Sequence, residues 1–155
     1  MRARVAGALF VVLAGVAGAG EAGDVAIIVH RNHPQDELSM TELARIFRLD
    51  RQHWKDGDRI ELVLQLSASA KEAVILDRVY HMKAEDLKPF WLAKIFKGEL
   101  TAAPRTFASD ASVKQYVGAN LHAVGYIDSA LLDGTVKALV IEGKRPGEPG
   151  YPLAR

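Results

Sequence analysis

The run Ser67-Ala68-Ser69-Ala70-Lys71 lies between an alternating apolar stretch and a helical one. A strand that ends in small hydroxyl residues directly before a helix presents free main-chain amides and the positive end of the helix dipole. With serine hydroxyls and an ammonium beside them, such amides can hold a phosphate-like anion without a metal. The candidate ligand-binding residues are therefore Ser67, Ser69, Ala70 and Lys71, with the two hydroxyls and the Ala70 amide as donors and Lys71 as countercharge. The same residues also have a purely structural use. Ser69-Ala70-Lys71-Glu72 reads as a capping box, and a carboxylate in the first turn would repel an incoming anion.

Other chemistry finds little support in the chain. Its five histidines, at positions 30, 33, 53, 81 and 122, never take the i, i+4 spacing with an intervening Glu that a zinc protease uses. His30 and His33 could pair across a turn, but no carboxylate array accompanies them. Neither a Gly-x-Ser-x-Gly elbow nor a glycine-rich nucleotide loop occurs, so no catalytic residue, metal or cofactor is expected. Trp54 and Trp91 could serve as ligand platforms, yet aromatics beside a turn or a helix end are more often core anchors. Phe47, Phe96, Ile46 and Ile95 read as core in the same way.

The elements that must position these residues follow from the apolar pattern. Residues 25–29 form a continuous apolar run with four β-branched side chains, as in a strand covered on both faces. Ser39-Met40-Thr41-Glu42 is a capping box for a helix to about Phe47, with Leu38 and Leu43 as its hydrophobic staple. Trp54-Lys55-Asp56-Gly57-Asp58 is a turn, and residues 60–66 alternate as a second strand. Helices are expected from Ser69 to about His81, over 84–96 with Gly98 as the stop, and over 110–117 capped by Ser109. Strands over 123–127 and 136–141 follow, and the tail 143–155, with three of the six prolines, reads as extended surface chain. The order β-α-β-α-α-α-β-β implies an α/β fold with a mixed sheet flanked by helices. Leu43-Ala44-Arg45-Ile46-Phe47 is echoed by Leu92-Ala93-Lys94-Ile95-Phe96, but the flanks do not match and no duplication is inferred.

The ends and the charge bear on location. Arg2 and Arg4, an apolar run from Val5 to Val16 and small residues to Gly23 form a signal-peptide pattern, with cleavage expected after Ala19 or Ala22. Removing residues 1–19 takes away two cations and no acid, which lowers the formal charge from +1 to −1 and argues against a nucleic-acid partner. The chain has no cysteine, which excludes disulfides and a lipidated N-terminal Cys. The expectation is a periplasmic domain over 23–142, released by a cleavable signal and without a lipid anchor.

Several landmarks then fall in one order: Leu43-Ala44-Arg45-Ile46-Phe47, Trp54-Lys55-Asp56-Gly57, a strand leading into a Ser-containing helix start, Trp91 with Phe96-Lys97-Gly98 and Pro104, and Val124-Gly125-Tyr126-Ile127. Over residues 25–141 the chain resembles the PstS-like phosphate ABC transporter substrate-binding proteins of the type 2 periplasmic solute-binding superfamily. The resemblance implies a mostly parallel sheet flanked by helices, phosphate or a related small anion as ligand, and an ABC transporter permease or other envelope protein as partner. It departs from the family pattern at the anion loop, where Gln65 stands near the place of an Arg and Ser67-Ala68-Ser69-Ala70 replaces Ser-Gly-Thr. At about half the family's length, the chain resembles a single lobe, which encloses an anion on both sides only by pairing with a second subunit, so a homo-oligomer is one expectation. The first functional expectation is a periplasmic solute-binding protein of the phosphate ABC transporter type, and the alternative is a periplasmic sensor or adaptor module that has lost solute capture.

Overall fold

The computed structural model describes residues 23–155. The expected signal segment, residues 1–19 or 1–22, lies outside these residues. The fold is built on β1 (Val25–His30), whose apolar run predicted a strand covered on both faces; Val25 through Val29 are completely buried. Strands β3 (Glu61–Gln65), β4 (Arg105–Phe107), β5 (Ala123–Asp128) and β6 (Val136–Ala138) join β1 in one five-stranded sheet, ordered β4-β3-β5-β1-β6. β3 pairs in parallel with β4 and β5, while β1 is antiparallel to both β5 and β6. Four strands therefore run one way and β1 the other, giving the mixed sheet that the element order implied and the mostly parallel one that the resemblance implied. A separate parallel pair is formed by β2 (Glu37–Leu38) and β7 (Val140–Ile141).

Helices cover both faces. On one, α1 (Met40–Phe47), α2 (Ala70–Ile75) and α3 (Ala84–Phe96) pack Leu43, Phe47, Ile75, Leu87 and Trp91 against the Ile27, Leu64 and Tyr126 side of the sheet. On the other, α4 (Asp110–Ala119) sets Val113 and Val117 against Ile28, Val63 and Ile127. Gly125 permits that approach, because a Cβ there would stand 3.0 Å from Val113 Cγ1 and 3.2 Å from the Val63 carbonyl oxygen. Buried tyrosines lock the layers: Tyr80 Oη donates to the Phe47 carbonyl and Tyr126 Oη to that of Gln65, each at 2.7 Å.

The caps expected at Ser39 and Ser109 form. Ser39 Oγ accepts from the Glu42 amide at 3.1 Å while Glu42 returns to the Ser39 amide at 3.0 Å, and Ser109 Oγ accepts from the Ser112 amide. The helix from Ala70 widens into a π-turn over Leu76–Tyr80 and stops at His81 in the left-handed conformation. The stretch 136–141 is divided, since its first half pairs with β1 and its second half leaves to pair with β2.

Two expectations are corrected. Phe96 is 87% exposed rather than core, because α3 is apolar on both sides and only its Leu87–Trp91 side meets the sheet. The tail is also anchored rather than lying loose on the surface. Tyr151 and Leu153 are buried, Val25 donates its amide to the Leu153 carbonyl at 3.1 Å, and Tyr151 Oη donates to the Val25 carbonyl at 2.7 Å. Arg155 ends the tail against the Gly23 carbonyl and the Asp128 carboxylate.

Candidate functional site

The Ser67–Lys71 junction lies where β3 leaves the sheet and α2 begins. Gln65 is the last buried residue of β3, and Leu66, Ser67 and Ala68 emerge to solvent. Ala68 takes a positive φ of 48°, a turn that a residue with a Cβ seldom makes and that aims successive amides the same way. Both amides are occupied from within the chain. Glu72 Oε2 accepts from the Ser67 amide at 3.0 Å and from the Ala68 amide at 2.7 Å.

The capping box expected at Ser69 is therefore only half formed. Ser69 Oγ accepts from the Glu72 amide at 3.3 Å, but the Glu72 carboxylate turns to Ser67 and Ala68 instead of back to the Ser69 amide. The left-handed turn at Ala68 brings those two donors within its reach. The amides of Ala70 and Lys71 make no hydrogen bond.

Lys71, expected as countercharge, is spent on a partner. Its Nζ donates to Asp110 Oδ2 at 2.9 Å, and the two side chains are only 10% and 13% exposed. With its amide nitrogen turned to Asp110, Gln65 donates to Oδ1 at 2.6 Å and accepts from the Asp110 amide at 3.2 Å. Asp110, in the first turn of α4, thus ties β3 and α2 together. Under this layer, burial pushes the Tyr126 hydroxyl pKa well up, and the Glu72 carboxylate adds to the effect, so Tyr126 stays a neutral donor to Gln65.

The structure thus brings Ser67, Ser69, Ala70 and Lys71 together in one junction, with Ser67 and Ala70 exposed and Lys71 buried. The sequence reading missed Asp110 and Tyr126 as participants. The acid in the first turn of α2 was the one available signal for Glu72, and the resemblance pointed to Gln65.

Beside the junction, a cavity of about 310 Å³ runs between α3 and the β3–β4 edge, lined by Leu64, Leu66, Leu87, Trp91, Leu92 and Glu72 among others. Leu66 is 52% exposed and Leu92 43%, both on this cavity, and Phe96 is exposed one turn of α3 beyond Leu92. Among the described residues no group of three or more metal-binding side chains occurs, and no helix is long and apolar enough to cross a membrane.

No protein-family model matches the chain, and no curated protein matches it in sequence. Solved structures do. An ABC-type phosphate transport receptor from Vibrio cholerae superposes with a TM-score of 0.70 at 22% identity, over 86% of this chain and 54% of that one. PstS from Borrelia burgdorferi gives 0.65 at 15% identity, over 86% and 55%. A protein from Clostridium perfringens described as a phosphate ABC transporter substrate-binding protein, solved with phosphate bound, gives 0.63 at 24% identity, over 79% and 46%. The chain has the fold of the PstS-like phosphate ABC transporter substrate-binding proteins and spans about half the length of these solved structures.

Proposed function

We propose that the chain is an exported lobe of the phosphate-receptor type that works as a sensor or adaptor, docking on an envelope protein rather than capturing a solute. The observation that carries this reading is the Glu72 carboxylate on the Ser67 and Ala68 amides. A carboxylate there supplies the negative charge that an oxyanion would bring, and Lys71, the countercharge within the junction itself, is already paired with Asp110. Leu66 and Leu92, exposed on the cavity beside the junction, give a partner apolar anchors, and Phe96 is exposed one turn further along α3. Export rests on the basic start and apolar run of residues 2–16.

Solute capture is the second reading, favoured by the unbonded Ala70 and Lys71 amides at the start of α2 and by the ligand named for the solved relatives. In it, phosphate or a related small anion takes those amides with the Ser67 and Ser69 hydroxyls, and the partner is an ABC transporter permease.

Thermal unfolding with phosphate, sulfate and other oxyanions at millimolar concentration separates the two. Capture at a hundredfold excess over the dissociation constant adds about 2.7 kcal/mol and raises the melting temperature by several degrees. The docking reading expects no shift in the wild-type protein and cross-linking of an envelope protein to a photoreactive group at Leu92. A selective shift with phosphate that Ser69→Ala removes would overturn it in favour of capture.

A further inference from the structure

At the sheet end opposite the Ser67–Lys71 junction, three loops close on Trp54. The Trp54 side chain is buried, and its indole N–H donates to the His122 carbonyl at 3.0 Å. The His33 ring meets it edge-on, with centroids 4.4 Å apart and the planes at 60°. His33 is 3% exposed, and its two nitrogens differ. Nδ1 accepts from the Gln35 amide at 3.0 Å, which assigns the ring proton to Nε2, and Nε2 is buried without a hydrogen-bond partner. The other such buried atom among the described residues is His122 Nδ1, with Asp58 Oδ2 3.6 Å away. The two unsatisfied groups thus both belong to histidines joined through one indole.

A second proton on His33 would have to go on Nδ1, where it would face the Gln35 N–H, donor against donor. It would also create a charge with no partner inside the fold. The groups facing His33 from the surrounding elements mostly oppose that charge. Lys137 of β6 holds its ammonium on the His33 carbonyl and on Asp36, and His30 of β1 and His122 before β5 lie nearby. Asp56 in the Trp54 turn is the one favourable neighbour besides the already paired Asp36. Burial first, and Lys137 next, hold the imidazole below its ordinary range.

We propose that His33 is an acid-operated latch: taking up its second proton drives the ring away from Trp54 and frees the 31–36 loop and the Trp54–Gly57 turn, while the sheet and the Ser67–Lys71 junction stay folded. A lowered histidine pKa stabilises the closed form fully above the unfolded value of about 6.5, and that stabilisation fades as pH falls below it. The exported lobe would then have two states selected by acidity.

The test is a series of amide and indole NMR spectra of the protein from pH 8 to pH 5, with the Trp54 indole signal identified in Trp91→Phe or, if that variant does not fold, by sequential assignment. The expected result is that the Trp54 indole and the Gln35 amide lose their dispersed positions together, with a midpoint below 6.5, while the Val63 and Val124 amides keep theirs. In His33→Gln the transition should vanish. The carbon resonances of the His33 ring in the wild-type protein serve as the control should that variant misfold, and they must titrate with the Trp54 midpoint. The latch is refuted by a Trp54 signal unchanged to pH 5, by a transition that persists in His33→Gln or follows His122 instead, or by core amides that move together with Trp54.

Discussion

Glu72 reaches back across the first turn of its own helix to accept the Ser67 and Ala68 amides at 3.0 and 2.7 Å, so a carboxylate of the chain itself fills the left-handed turn at Ala68. Replacing it with Gln keeps the shape of the side chain and removes the charge. The expected loss of stability is about 1–3 kcal/mol, since hydrogen bonds to a charged acceptor are the stronger kind and the amides lose it. Urea unfolding measures this. If Glu72 alone keeps anions out, Glu72→Gln should also acquire a phosphate-dependent rise in melting temperature that the wild-type protein lacks.

Lys71 and Asp110 are both nearly buried, so either one alone is an uncompensated charge. Lys71→Met and Asp110→Asn should each destabilise by about 3–5 kcal/mol, and the double variant by clearly less than their sum. A double-mutant cycle read by chemical denaturation gives the coupling. Additive losses would mean that the pair contributes nothing as a pair.

Gly125→Ala tests the seating of α4 on the sheet. The added methyl would lie 3.0 Å from Val113 Cγ1 and 3.2 Å from a backbone oxygen that cannot swing away, so a loss of roughly 1–3 kcal/mol is expected. Val113→Ala in the same chain should recover part of it, because the vacated Cγ1 position is the one the methyl needs.

The Ser39 amide and hydroxyl hold the Glu42 carboxyl below its ordinary value of 4.5. A depressed carboxyl pKa stabilises the fold above the unfolded value and loses that contribution as pH falls through the folded one. Stability compared at pH 6 and pH 3 should therefore fall more steeply in the wild-type protein than in Glu42→Gln, whose cap cannot titrate. Equal slopes would remove Glu42 from the acid limb.

The parts of the fold that were legible in the chain are those that local chemistry decides. The all-apolar Val25–Val29 run, short and rich in β-branched residues, reads as a covered strand, and Ser39 with Glu42 fixes a helix start without help from elsewhere. The junction was legible as a place but not as an arrangement. Ser69 and Glu72 have capping-box spacing, yet the left-handed Ala68 redirects the carboxylate, and no pattern of residue types announces a left-handed alanine. Asp110 joins Lys71 from 39 positions away through the parallel register of β3 and β4, a long-range relation that side-chain spacing does not encode. Phe96 was misread because apolar residues on both sides of α3 leave helical periodicity without a preferred inner face. The tail hid its role behind its prolines, which disfavour regular structure without preventing Tyr151 and Leu153 from packing.

The contact of Arg155 with the Gly23 carbonyl has a topological consequence. Because the first and last described residues touch, a short linker could join them without moving any strand, and new ends could be opened in an exposed turn such as the one at Gly57. The lobe is thus suited to circular permutation. By the same geometry it can sit as an insert in a host loop, entering and leaving at one point of its surface.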